Sequence, residues 1–571
     1  MAEFIKTQNS FANGEVSPEF YATDNINGLS CLENMDVLSG GGLSRRSGLI
    51  SVAKLPKNSR IISFSASDDQ EYIIVLSNYR IDIYLNNVYV QRLTTPWNSS
   101  AVNHIQYAQR FDTMIFVHSD FTPQILSRCE TGFALMEFSF ATNASDSGIN
   151  APFVRFDDSS DITITVERHS TGNNFATFIT NKDFWTPENV FGIFSLLGCQ
   201  WTISEYVDSK HVVAMTNGIF SLPTTPVSDW SEIAFSNRRG WPRSITFHQD
   251  RLVFGGSRSW PGGLWLSQVG RHNNFNTGTG LDDEAIFISL QSQQRQQICT
   301  VVSADNLQIL TTVGEWAVFS KPLTPSSVDV KQHTSVGSYS AYYLPAQKIE
   351  GSTVFVAGNG CDIRELSLDD LSEKYNATDL CALSKHLMVI PVDIAYNASL
   401  RRLYVVRADG VMSVLNHNSS LGISAWGTYK TTGQFLSVCV SGDTTYVVVR
   451  RDSNDYLEYF DSAALQDAAT YDFSFVASGL PIRASGHNVS RIKLRKITAR
   501  VLETKSIKIN NHNISLPNDI YANDSPGFNG DVSVNLLGNF RETITPSWTI
   551  HGTEPYPITV LSISLYGWYT V

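Results

Sequence analysis

Helical periodicity is scarce in this chain, and the marks of several large protein classes are missing with it. The cysteines are scattered singly, at Cys31, Cys129, Cys199, Cys299, Cys361, Cys381 and Cys439, with no CxxC pair among them. That argues against a zinc knuckle or a disulfide framework and for free, buried thiols in a protein made in the cytoplasm. The longest apolar stretch, at 191–199, is far short of the roughly 18 residues that span a bilayer, and MAEFIKTQNSF has no apolar run behind a basic start. The expectation is a chain that is neither exported nor inserted into a membrane. HExxH, G-x-S-x-G, a P-loop and Asp-box repeats are all lacking, so no catalytic, cofactor-binding or metal-ligating residue is assigned and no cofactor is expected.

Positive charge is in deficit as well. The net charge is −12 and only 17% of residues are charged. Phosphate neutralisation by Lys and Arg supplies most nucleic-acid affinity, so a tight grip on DNA is not expected. An acidic wall would instead let a passing duplex slide, with only transient, non-specific contact.

What the sequence has in abundance is short β-branched and aromatic runs separated by Gly, Asn, Asp and Ser, the strand-and-turn pattern. Such runs lie at 61–64, 72–76, 81–84, 113–117, 162–166, 252–254, 309–312, 353–356, 403–406 and 446–449. They form hairpin groups of about 25 to 35 residues, a cadence that suits a β-propeller. One helix is expected over 367–388, where Leu380, Leu383 and Leu387 follow an i, i+3, i+7 spacing. The expected fold class is mainly β: a propeller core with an inserted β module, a C-terminal β domain and little helix. The boundaries read as an N-terminal segment 1–56, propeller parts 57–135 and 236–470, the module 136–235 and the C-terminal domain 471–571.

Several residues stand out. Gly40, Gly41 and Gly42 predict a tight loop between two strands, since the following Leu43-Ser44-Arg45-Arg46 does not make a phosphate cradle. Arg45 and Arg46 are either a contact to an acidic face of a neighbouring subunit or adaptor, or a solvated loop pair. His248, Gln249, Asp250 and Arg251, between Phe247 and Leu252, read as a polar cluster tying strands together. Trp260, Trp265, Trp316 and Trp426 read as packing anchors of the blades. Asp282, Asp283 and Glu284 form the densest acidic run, expected as a solvated or channel-facing turn. Arg491, Lys493 and Arg495 alternate with Ile492 and Leu494, giving a strand with a basic face that is either solvated or set against an acidic neighbour or DNA backbone.

Six ordered segments carry a family resemblance. The first is Phe11, Ala12, Gly14, Glu15, Ser17 and Pro18, then Leu32, Asn34 and the run from Gly40 to Gly48. The second is HIQYAQRFDTMIFVHSDFTPQILSR, from His104 to Arg128. The third is WPRSITFHQDRLVFGGSRSWPGGLWLSQVGRHNNF, from Trp241 to Phe275. ILTTVGEWAVFS, TDLCALSKHL and RLYVVRADGVMSVL, the last followed by Ala425-Trp426 and Thr432-Gly433, complete the set. Together they resemble the tail nozzle proteins of short-tailed bacteriophages, also called tail tubular protein B or packaged-DNA stabilisation protein. The resemblance implies a virion structural protein and not an enzyme: a subunit of a hexameric ring of identical copies that lines the DNA exit channel, retains the packaged genome and conducts it during ejection. It implies tail adaptor proteins and a tail fibre, plug or needle as neighbours, assembly in the bacterial host cytoplasm, and a propeller core. Two alternatives remain open at this point, a receptor-binding or fibre-docking tail protein and a propeller-type hydrolase of envelope glycans.

Overall fold

The computed structural model describes residues 2–21, 26–67, 69–143, 148–169, 174–218, 220–369, 371–481, 491–517, 526–537, 541–542 and 547–570. The chain divides into two compact units, 1–92 with 344–571, and 93–343. Among the described residues, seven groups of four antiparallel strands repeat the blade of a β-propeller, and the fold is a propeller with an inserted β module and a C-terminal β domain. Among the described residues helix is confined to Ser99–Val102 and short 3-10 turns, and none is long and apolar enough to cross a membrane.

In the first unit one blade runs Arg60–Ser67, Gln70–Ser77, Arg80–Leu85 and Val88–Thr94, the last strand reaching the unit boundary. The next comprises Gln434–Ser441, Thr444–Arg451 and Asn454–Asp461, and the early strand Gly48–Leu55 completes it. These two sheets pack face to face through Ile61, Ile73, Val75 and Tyr84 against Cys439, Tyr446, Val448 and Leu457. Burial on both faces explains the unbroken apolar run Tyr72 to Leu76, which a sheet solvated on one side would have alternated. The blade of Pro391–Asn397, Arg402–Arg407, Met412–Asn418 and Ile423–Tyr429 packs on the other side of Phe435, Val447 and Val449.

In the second unit the blades are Gln106–Arg110 to Gly132–Glu137, Ser244–His248 to Ile286–Ser289, and Ile298–Ser303 to Val330–Thr334. Phe254, Trp265 and Phe275 join the first to the second, and Leu264 and Leu266 with Ile298 and Ile309 join the second to the third. The module between them is a seven-stranded sheet that includes Ile164–Arg168, Cys199–Tyr206 and Trp230–Ile233. It has its own core around Phe178, Phe194 and Trp201.

Two expectations fail. No helix forms over 367–388: Ile363–Asp369 and Lys374–Asp379 are paired strands, followed by a 3-10 turn at Lys385–Leu387. The Asp369 carboxylate accepts from the Leu371 N–H and the Ser372 hydroxyl, and Glu373 has φ 52, so a local turn and the ladder to Ser352–Val356 override the spacing. Nor does 1–56 stand apart as a segment. Ala2–Gln8 and Leu43–Arg45 pair with Thr559–Thr570 in the C-terminal sheet, while Gly48–Leu55 closes a blade.

Candidate functional site

The first motif is a strap inside the first unit. Gly14 has φ +59, and a Cβ there would lie 2.4 Å from the Trp426 carbonyl oxygen, so the chain can pass only as glycine. Beside it, one Glu15 carboxylate oxygen accepts from the Leu32 N–H at 2.7 Å and the other lies 2.8 Å from His386 Nε2. His386 Nδ1 is 2.8 Å from the Ser17 hydroxyl, and the Ser384 hydroxyl donates to the Glu15 carbonyl at 2.6 Å. Trp426 donates to the Leu380 carbonyl at 2.9 Å. The first motif segment therefore meets two others, which lie about 370 and 410 positions further along the chain, at one place.

Arg45 and Arg46 belong to this strap, which corrects both readings of them. Neither is a surface loop pair. They are buried, and the Arg46 side chain is fully enclosed with Asp467, a bidentate pair at 2.8 and 2.9 Å. Its other donors go to Asn34 Oδ1 and to the carbonyls of Ser47 and Lys430, and the guanidinium stacks 3.6 Å over the Phe473 ring. Arg45 donates to the carbonyls of Leu465, Glu554 and Tyr556, and burial pushes it down to about 10. Gly40 to Gly42 do form the turn between Met35–Val37 and Leu43–Arg45, with Gly41 at φ +82.

The cluster His248 to Arg251 is a two-residue hairpin turn: His248 pairs with Arg251, and Gln249 and Asp250 have φ 44 and 58. His248 Nδ1 lies 2.9 Å from the Ser303 hydroxyl of the next blade, and Gln249 accepts from the Leu323 N–H. Arg251 is wholly buried and donates to the carbonyls of Ser267, Asp282 and Glu284. Asp282 and Asp283 are exposed, as an acidic turn requires. Glu284 is not free: one carboxylate oxygen accepts from the N–H groups of Thr279, Gly280 and Leu281, which lowers its affinity for a proton. Trp265 and Trp426 are buried anchors, with Trp260 and Trp316 packed beside other blade residues. On the strand Arg491–Thr504, Ile492 and Leu494 face the core while Arg495 is exposed and stacks 4.4 Å over Trp568. Lys493 is half-buried, and the Arg491 side chain lies outside the described residues.

Sequence reasoning missed two constellations. Asp362, Asp379 and Cys381 place their ligand atoms within 4.8 Å of one another. Arg364 lies 3.2 Å from Asp362 and 3.7 Å from Asp379, and Lys385 lies 3.6 Å from Asp379, so both carboxylates already have cationic partners. Burial pushes the Cys381 thiol up to about 12, and it donates to Asp379 at 3.2 Å. A divalent cation would have to displace both cations and the thiol proton. The second is a cleft of about 1120 Å³ in the second unit, reaching from Arg110 to Asn276. Arg110 contacts Asp250 at 2.6 Å and donates to His272 Nε2, and His272 lies edge-on to Phe247 at 5.3 Å. Burial and then Arg110 lower the proton affinity of His272, against the pull of Asp250. Hairpins 140 positions apart build this group, and no local motif announces it.

No family model matches the chain, and no curated protein matches it. Solved structures do. The WD40 repeats of RRP9 align at TM-score 0.36 and 7% identity, over 73% of this chain and 99% of that one. BamB from Moraxella catarrhalis aligns at TM-score 0.33 and 12% identity, over 72% and 98%. The β-propeller domain of Cps50 (Swd1) from Myceliophteria thermophila aligns at 0.30 and 8%, over 72% and 98%. At these values nothing about ligand or partner transfers.

Proposed function

We propose that this protein is a non-enzymatic virion subunit of the tail nozzle of a short-tailed bacteriophage. The observation that carries the reading is the ordered set of six motifs along the whole chain. The residues that bear the resemblance, among them Glu15, Asn34, Arg46, Arg251 and Trp426, are ones that tie distant strands together. A resemblance resting on such residues is one of architecture, as expected for a structural part.

In this reading identical copies form a closed ring, expected as a hexamer, at the distal end of the tail. Adaptor proteins sit on one side of it, and a fibre, plug or needle on the other. The mechanism is mechanical. Blades packed face to face resist the pressure of packaged DNA, and a net charge of −12 keeps the lining from holding the phosphates of a duplex in transit. No cofactor takes part. Native mass spectrometry of the purified full chain tests the assembly. A single closed species of six copies supports the proposal, and a monomer at all concentrations, or a trimer, counts against it. A trimer would favour a receptor-binding or fibre-docking role.

A further inference from the structure

The cleft of the second unit has a charge balance that identifies a ligand class. Asp112 is its lining carboxylate, and Asp250 lies behind the wall against the lining residue Arg110. Arg128 neutralises the first at 2.7 Å and Arg110 the second at 2.6 Å. Arg271, also in the lining, is exposed and has no carboxylate within ion-pair distance among the described residues. One uncompensated guanidinium is far too little for a polyanion such as nucleic acid, whose binding takes several phosphate contacts. It suits a ligand with an isolated carboxylate.

The remaining lining is amide and aromatic. Asn150, Gln268, Asn273 and Asn276 bring side-chain amides to the lining; Asn150 and Gln268 donate to the carbonyls of Thr142 and Asn276, and Asn276 accepts from the Gly278 N–H, so each of these three keeps its other amide function for hydroxyl groups. Phe247 forms part of one wall, and Phe111 stands at the rim, 78% exposed, with φ 51. Left-handed backbone at a bulky aromatic is strained, and exposing the ring to water adds a further cost. The left-handed backbone belongs to the two-residue hairpin turn between Arg110 and Thr113, where the Phe111 carbonyl accepts from the Gln109 side-chain amide at 2.8 Å, whereas the ring is left exposed beside the Arg110 guanidinium, 5.5 Å away. A volume of about 1120 Å³ lies at the upper end of the ~300–1,000 Å³ typical of small-molecule clefts and leaves room for more than one sugar unit.

We propose that this cleft binds an acidic oligosaccharide, such as a uronate- or sialate-bearing glycan of a cell surface. Phe111 and Phe247 lie against the C–H faces of the sugar rings, the amides hold the hydroxyls, and Arg271 takes the carboxylate. Arg110, locked between Asp250 and His272, positions the wall and is not itself a carboxylate ligand. The inference goes beyond the nozzle reading and does not depend on ring formation.

Calorimetric titration of the full chain tests it with four probes: a hexasaccharide bearing a single uronate, a hexasaccharide bearing a single terminal sialic acid, neutral maltohexaose, and hexaglutamate. At least one acidic saccharide is expected to bind more tightly than maltohexaose and hexaglutamate. Arg271→Gln should weaken that binding by about 10-fold or more, the range of a charge-assisted hydrogen bond, and leave maltohexaose unaffected. Phe111→Ala, at an exposed position, should weaken the acidic saccharide without changing the thermal midpoint of the protein. Three results would overturn the proposal: neither acidic saccharide outbinding maltohexaose, hexaglutamate binding as tightly, or Arg271→Gln leaving the affinity unchanged. None of these outcomes bears on the oligomeric state, so the nozzle reading fails or stands separately.

Discussion

Removing the Asp467 carboxylate should cost the first unit several kcal/mol, because Arg46 has nowhere else to place its charge. The pair is fully enclosed, with bidentate contacts at 2.8 and 2.9 Å, and Asp467 also accepts from the Thr431 hydroxyl at 2.7 Å. Arg46 spends its remaining donors on three fixed oxygens, so in Asp467→Ala the guanidinium keeps those bonds but stays buried and uncompensated. Breaking a buried pair from one side typically costs about 3–5 kcal/mol. Arg46→Met, which removes the charge and leaves Asp467 buried, should fall in the same range. The double variant Arg46→Met/Asp467→Leu should recover a large part of the loss, since both buried charges disappear together. Urea unfolding followed by tryptophan fluorescence reads these differences as midpoint shifts at constant slope. A cost below about 1 kcal/mol for Asp467→Ala would refute the burial argument and restore Arg46 as a surface contact residue.

The other predictions concern acid, a loop and a core. His118 is buried, its Nδ1 accepts the Asp120 N–H at 3.1 Å, and burial lowers its proton affinity to about 4, against the opposing pull of Asp120 and with His104 and Arg243 nearby. The unfolded chain takes up the proton near pH 6.5 and the folded one only near 4, so stability falls as pH drops through that window. The loss reaches roughly 3 kcal/mol at its lower end, and His118→Gln should flatten the profile. Glu284→Gln should speed hydrogen exchange at the amides of Thr279, Gly280 and Leu281 while leaving global unfolding unchanged, because the carboxylate serves only that loop. Trp265→Ala empties a site packed between Phe235 and Phe287 and should cost about 3–5 kcal/mol in thermal or urea unfolding.

Strands were legible in the sequence where local signals agree. The run Tyr72 to Leu76 and the left-handed pair Asn86-Asn87 mark a strand and a hairpin turn without help from distant residues. The helix expected over 367–388 shows where local signals mislead: its leucine spacing is real, but Leu371 is 98% exposed and the ladder to Ser352–Val356 decides the conformation. Arg45 and Arg46 were misplaced for a related reason. Next to three glycines they look solvated, and the partners that bury them, Asp467 and Phe473, lie more than 400 positions away in the chain. The cleft was illegible because its loops come from separate hairpins, and the exposed left-handed Phe111 leaves no trace in composition.

Electron microscopy of intact tails carrying this protein tests the central claim most directly. The account predicts six copies around an open axis at the DNA exit vertex, with the blades of each copy beside the channel. A single copy per particle, or density located away from that vertex, would contradict it.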